Sequence, residues 1–306
     1  MSTEGGNKAI IAALLANTGI AVTKFVAFLI SGASSMLAES VHSLADAGNQ
    51  VLLLIGGKRA KRAATPEHPF GYGRERYVYA FMVAIILFTV GGMFAIYEGV
   101  HKIQHPEPIT KAWLPITVLL VSIVLESFSL RTALRESAPY RENISILTFV
   151  RRHKSPELPV IVLEDIAALT GLALALAGVS VAVITGDGVW DGAGTIAIGV
   201  LLIGVALLLG VEVKSLLIGE GATPADVRKI ADAITAGHEV ESVIHMKTLY
   251  LGPEELLVAV KVAVLATETV GEVADAIDAI ETRIRAAVSD ARVIYIEPAV
   301  RRAVKA

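Results

Sequence analysis

Residues 39–50 read ESVHSLADAGNQ, and this stretch decides the fold. It lies inside an apolar run, 36–56, long enough to cross a bilayer as a helix, yet it carries Glu39, His42, Asp46 and Asn49. Side chains three and four positions apart share one helix face, so these four form a single polar stripe. Against lipid an ionisable side chain costs about 2.5–3.5 kcal/mol on insertion scales. The stripe must therefore face a bundle interior or water. A second apolar run, 158–184, answers it with Glu164 and Asp165. Groups of this kind at membrane depth either hold a cation or form a buried network that ties helices together. Two acids opposite one histidine leave an excess of negative charge that a neutral network does not resolve.

The rest of the chain supports a membrane setting. Of its 306 residues 54% are hydrophobic, and the mean hydropathy is +0.63, above the range of soluble domains. Apolar segments near the length of a spanning helix occupy 9–30, 36–56, 78–100, 113–130, 158–184 and 192–211. The expectation is an all-α bundle of six membrane helices over 1–220. No signal-peptide cleavage pattern precedes the first segment, so it is expected to stay in the membrane. The connection after the second segment carries Lys58, Arg59, Lys61, Arg62, Arg74 and Arg76, and that after the fourth carries Arg131, Arg135, Arg141, Arg151, Arg152 and Lys154. Basic connections stay on the cytoplasmic side, which places both termini there in a multi-pass protein of the cell (plasma) membrane. Topology accounts for these charges, and a net charge of -3 argues against a nucleic-acid surface.

From 221 the character changes. Thr223 and Pro224 begin a helix as cap and first residue, with Val227, Ile230, Ala231 and Ile234 at helical spacing. Runs 243–251 and 256–265 alternate around Gly252-Pro253 and predict a hairpin. An amphipathic helix over 270–288 and a short strand over 291–297, ended by Pro298, complete the order αββαβ. This is an α+β domain over 221–306, a sheet covered by helices.

With no cysteine in the chain, a metal must be held by His, Asp, Glu, Asn or water. His42 and Asp46, one turn apart, can grip one ion, and one imidazole with two or three carboxylates suits zinc while also accepting manganese, iron(II) or cobalt. Asp165 is the natural partner from the fifth segment, because Glu164 points about 100° away from it. Glu39, Asn49 and Glu126, the last deep in the fourth segment, are candidates for orienting a ligand or relaying a proton. Lys24 either pairs with Glu39 or snorkels to the interface.

At this point the residues carry a family resemblance. Residues 32–50, GASSMLAESVHSLADAGNQ, resemble the second transmembrane helix of the cation diffusion facilitator family, whose hallmark is H/D-x-x-x-D. HPFGYGRERY at 68–77, LLIGE at 216–220 and the αββαβ tail are similar to that family as well, so the resemblance spans essentially the whole chain. EDIAAL at 164–169 looks like the subgroup related to the mitochondrial zinc transporter of animals. The resemblance implies a homodimeric exporter of divalent metal driven by inward proton flow, with a metallochaperone-like cytoplasmic domain. It assigns ligand roles to His42, Asp46 and Asp165. The position one turn before Asp165 is Ile161 where the family has His or Asp, leaving Glu164 or water to complete the shell. Two accessory sites of the family are incomplete by this resemblance: His68 remains while Tyr72 stands where a second histidine belongs, and His245 and Glu297 stand with Lys261 and Tyr295 in place of other ligands. Lys261 either pairs with Glu297 or is an ordinary exposed lysine.

The function expected is efflux of a divalent cation, Zn2+ foremost and Mn2+, Fe2+ or Co2+ besides, in exchange for protons at a midplane site between the second and fifth helices. A non-transporting membrane scaffold or regulator that keeps the fold is the alternative. The expected partners are the cation, protons, the bilayer and a second copy of the chain, with no tightly bound cofactor. Neither an H-E-x-x-H motif nor a nucleophile and base pair points to an enzyme.

Overall fold

The computed structural model describes residues 3–141 and 144–300. Its helices are α1 (Thr3–Ser31), α2 (Ser34–Ala60), α3 (Glu75–Gln104), α4 (Trp113–Arg141), the short α5 (Ile146–Arg152), α6 (Glu157–Thr185), α7 (Val189–Ile218) and α8 (Pro224–Thr235). The hairpin β1 (Ser242–Gly252) and β2 (Glu255–Val264) follows, then α9 (Val270–Ala287) and β3 (Ala291–Val300). Two compact units form, one from Met1–Lys58 with Arg76–Lys214, the other from Arg59–Glu75 with Ser215–Ala306.

Among the described residues four helices, α3, α4, α6 and α7, are long and apolar enough to cross a membrane, and the Asn17–Ser31 part of α1 is a shorter apolar stretch. At 27 residues α2 has the length; its polar stripe keeps it out of that set. Most of that stripe is turned inward, with Glu39, His42 and Asn49 buried. Helices approach closely where glycine removes the side chain. A Cβ on Gly99 would lie 2.7 Å from the Gly192 carbonyl oxygen, and one on Gly199 would lie 2.8 Å from that of Gly92. These pairs bring α3 and α7 together backbone to backbone. Over Leu87–Met93, a run that includes Gly91 and Gly92, α3 is π-helical, and the Phe94 N–H reaches back five residues to the Thr89 carbonyl. In this run Gly91 meets Leu202 and Gly92 meets Ile203.

The second unit is a three-stranded sheet in the order β1-β2-β3, antiparallel between β1 and β2 and parallel between β2 and β3. The helical crossover α9 makes that parallel pairing possible. Along β2 the period of two is plain: Leu256, Val258, Val260 and Val262 are buried in a core with Ile230 and Ile234 of α8, Ile280 and Ile284 of α9, and Ile294 of β3. Thr269 caps α9 through a reciprocal exchange with Glu272. One boundary differs from the sequence reading: β3 continues through Pro298, opposite Val262. Proline ends a strand only when its missing N–H is needed, and β3 is an edge strand. Ile280 is fully buried at the centre of this core, so Ile280→Ala is expected to destabilise the C-terminal unit by about 2–5 kcal/mol, read as faster hydrogen exchange of the β2 amides in the full-length chain.

Candidate metal site

The polar stripe of α2 is organised from one end. Its first turn is capped by a carboxylate from far along the chain: buried Asp191, in the first turn of α7, accepts the backbone N–H of Ser34 at 2.6 Å and that of Ser35 at 3.3 Å, together with the Ser35 hydroxyl. Orphan N–H groups at a helix start take an acid well. Lys102 of α3 donates to the Gly32 carbonyl at 2.9 Å, and Thr110 holds the Ile30 and Ser31 carbonyls. The α1–α2 turn is therefore pinned on several sides.

One to two turns into α2 the ionisable groups begin. The Glu39 carboxylate accepts from the Lys24 ammonium at 2.9 Å, and the same ammonium donates to the Ser43 hydroxyl at 2.9 Å. Both charged side chains are buried, at 1% and 0% exposure, which resolves Lys24 as the partner of Glu39. On the same face His42 Nε2 lies 3.5 Å from Asp46 Oδ2. Both His42 ring nitrogens, Asp46 Oδ1 and Asn49 Oδ1 are buried without a hydrogen-bond partner. Native proteins rarely leave buried polar atoms so.

The two acids of α6 part company. Glu164 is buried and accepts from the Asn49 amide at 2.7 Å, reaching α2. Asp165, half-buried, accepts from the Ser129 hydroxyl of α4 at 3.0 Å. Successive residues on a helix point about 100° apart, so two neighbouring acids face two neighbouring helices. Glu126, also on α4, is half-buried and within electrostatic range of Asp46 and Asp165. Asp46 likewise acts on both Glu164 and Asp165. Ile161 is half-buried, one turn before Asp165. Among the described residues no three His, Asp or Glu side chains converge closely enough to grip one ion. His42 and Asp46 are brought together directly, Glu164 joins them through Asn49, and Asp165 stands on Ser129.

Sequence reasoning missed Asp191, Lys102 and Ser129. Ser129 lay three residues after Glu126, on the same face, and that spacing was a usable signal. Asp191 and Lys102 carried none, because each meets its partner across 70 residues or more.

The other predicted positions lie in the second unit. His68 stacks on Tyr72 at 4.6 Å, and Arg62 lies over the same ring at 4.2 Å, so these side chains order the loop. His245, Lys261 and Glu297 stand in one register row across the sheet. Lys261 donates to Glu297 at 2.6 Å, the pairing arm of the sequence reading. That hydrogen bond, and then the ammonium charge, hold the Glu297 carboxyl below its ordinary value.

These positions and the fold define a membrane protein with ionisable groups buried between its helices. The family comparison gives the class a name: residues 10–218 match the cation efflux transmembrane domain, and the chain belongs to that family. It is 29% identical over 251 residues to the human protein named proton-coupled zinc antiporter SLC30A9, mitochondrial, covering 81% of this chain and 44% of the relative. Its likeness to the Xenopus laevis protein of the same name is 28% over 254 residues, covering 82% and 45%. Metal tolerance protein C4 of Arabidopsis thaliana is 30% identical over 255 residues, covering 83% and 56%. The chain spans about half the length of these curated relatives. The expected cell-membrane address is overturned, because the SLC30A9 relatives are mitochondrial by name. Charge in the connections orients a chain relative to the side from which it inserts and does not specify the organelle.

A pH experiment tests the sheet row. A carboxylate with a depressed folded pKa contributes stability that is present above its unfolded pKa and lost as pH falls through the folded one. Lys261→Gln is therefore expected to raise the Glu297 titration, followed by side-chain NMR, toward the ordinary 4.5, and to remove this pH-dependent contribution, so that less stability is lost as pH falls through the carboxylate range.

Proposed function

We propose that this chain is a proton-coupled divalent-metal transporter, with zinc its foremost substrate. In this reading α1, α2, α3, α4, α6 and α7 are the six spans, 1–220 is the membrane domain, and 221–306 lies on the side of the basic connections. Two copies make the working unit. His42, Asp46 and Asp165 are the ligands, Glu164 is the candidate fourth, and Glu39, Asn49 and Glu126 support them.

The observation that supports this reading is a set of buried atoms on one face of α2 that make no hydrogen bond: both nitrogens of His42, Asp46 Oδ1 and Asn49 Oδ1. A divalent cation satisfies imidazole nitrogen and carboxylate oxygen together, and zinc takes both as ordinary ligands. The names of the relatives add zinc, antiport and protons. Coupling then follows from chemistry: His42 and the carboxylates must be free of protons to take the ion and take protons when they release it, so metal and proton compete for the same atoms. Rocking of helix bundles about a fixed site provides alternating access.

Two sets of variants test the assignment. Asp46→Ala and Asp165→Ala are each expected to abolish zinc uptake into proteoliposomes under an imposed pH gradient while leaving the protein folded by gel filtration; parental flux in either variant excludes that residue as a ligand. No flux in the wild type for zinc, manganese, iron(II) or cobalt leaves the scaffold reading in its place. Ile161→His restores an H-x-x-x-D pair on α6 and is expected to tighten zinc binding about tenfold, 1.4 kcal/mol being one decade, by calorimetry. It is also expected to slow release, since a more firmly held ion is harder for protons to displace.

A further inference from the structure

The metal reading gives no role to the buried charge of Lys24. Lys24 lies seven residues before the end of α1 and Glu39 five residues into α2, depths of about 10 and 8 Å from the α1–α2 turn at 1.5 Å per residue. His42 is about 12 Å and Asp46 about 18 Å deep on the same scale. The Lys24 ammonium thus sits at the shallow end of the same polar face. It is bound to Glu39 Oε2 and Ser43 Oγ at 2.9 Å each, and Ser43 directly follows His42. Glu39 Oε1 has no hydrogen-bond partner and lies where α6 has no side chain: a Cβ on Gly171 would come within 2.8 Å of it.

Lys24 is also the fixed cation that acts electrostatically on His42, Asp46 and Glu126. A carboxylate at the level of Glu39, with a serine hydroxyl beside it and a histidine one turn on, offers oxygen and nitrogen donors fit for a divalent ion. An ammonium already fills that place.

We propose that Lys24 is the resident cation of the intramembrane site: by occupying the position between Glu39 and Ser43 it denies Glu39 to the metal and limits the site to one divalent ion, taken at His42 and Asp46. This rests on the metal reading of those two residues. A tethered ammonium cannot leave with the cargo, so it sets the number of ions per cycle and repels the bound ion from the shallow end. A second metal would have to displace a charge that is covalently part of the helix.

Zinc binding to the purified full-length chain in lipid nanodiscs, counted with a zinc radiotracer, tests this. Lys24→Met frees Glu39 and is expected to bind one more zinc per chain than the wild type, and Lys24→Met/Glu39→Gln is expected to return to the wild-type number. Glu39→Gln alone leaves the ammonium uncompensated and is expected to weaken zinc binding at least about tenfold through like-charge repulsion. Removing both charges of a buried pair is gentler on folding than removing one, so the Lys24→Met/Glu39→Gln protein supplies a reading even where Lys24→Met alone folds poorly: its zinc affinity is expected to exceed that of Glu39→Gln. An unchanged zinc count in folded Lys24→Met, or unchanged affinity in Glu39→Gln, overturns the proposal. Asp46→Ala, measured alongside, separates the two ideas. Loss of zinc there with no response to Lys24 refutes only the resident cation, and retention of zinc there refutes the site itself.

Discussion

Charge inside hydrocarbon has to be matched, and this requirement organises the helical unit. An ion in a low-dielectric interior loses hydration that only a close counter-charge or several hydrogen bonds replace. The chain meets it in three ways on one helix. Asp191 is spread over the N–H groups that open α2, Glu39 is matched by Lys24, and Glu164 by a neutral amide. His42 and Asp46 have each other at 3.5 Å and little else. The gradient along α2 runs from fully satisfied at its first turn to unsatisfied in the middle, where rigid support at one end leaves donors free at the other.

That gradient explains why α2 is the least lipid-like of the long helices while being among the most buried. Four of the other long helices, α3, α4, α6 and α7, are apolar enough to cross a membrane. Close approach between α3 and α7 through Gly92, Gly99, Gly192 and Gly199 needs no polar glue, since small residues let backbones pack directly. Polar contacts hold the α1–α2 turn to α3 and α7, and further along they join α1 to α2, α2 to α6 and α4 to α6.

Local pattern in the sequence carried much of this. The 3.6 period of α8 and α9, the alternation in β2 and the Thr223-Pro224 start are properties of neighbouring residues, so they survive without knowledge of the fold. His42 and Asp46 were legible for the same reason, one turn apart on one helix. What stayed hidden was long-range. Asp191 looks like any acid at a helix start, and only the fold reveals that it caps a different helix. The continuation of β3 through Pro298 depends on its being an edge, which no local pattern states. The choice left open for Lys24, pairing or snorkelling, turned on whether α1 faces α2 at that depth.

Glu164 and Asp165 show how far helix geometry alone can constrain a site. Because adjacent residues diverge by about 100°, only one of the two can point at α2, and a pattern of motif positions favours Asp165 for that role. The hydrogen bonds run the other way, with Glu164 on Asn49 and Asp165 on Ser129. Both acids still act electrostatically with Asp46, since charges interact over distances that hydrogen bonds do not span. A doublet of acids on α6 therefore ties that helix to α2 and α4 at once, one carboxylate on each. A single acid followed by an apolar residue would leave α6 with one of these two hydrogen bonds, and the electrostatic link to Asp46 would rest on one carboxylate instead of two.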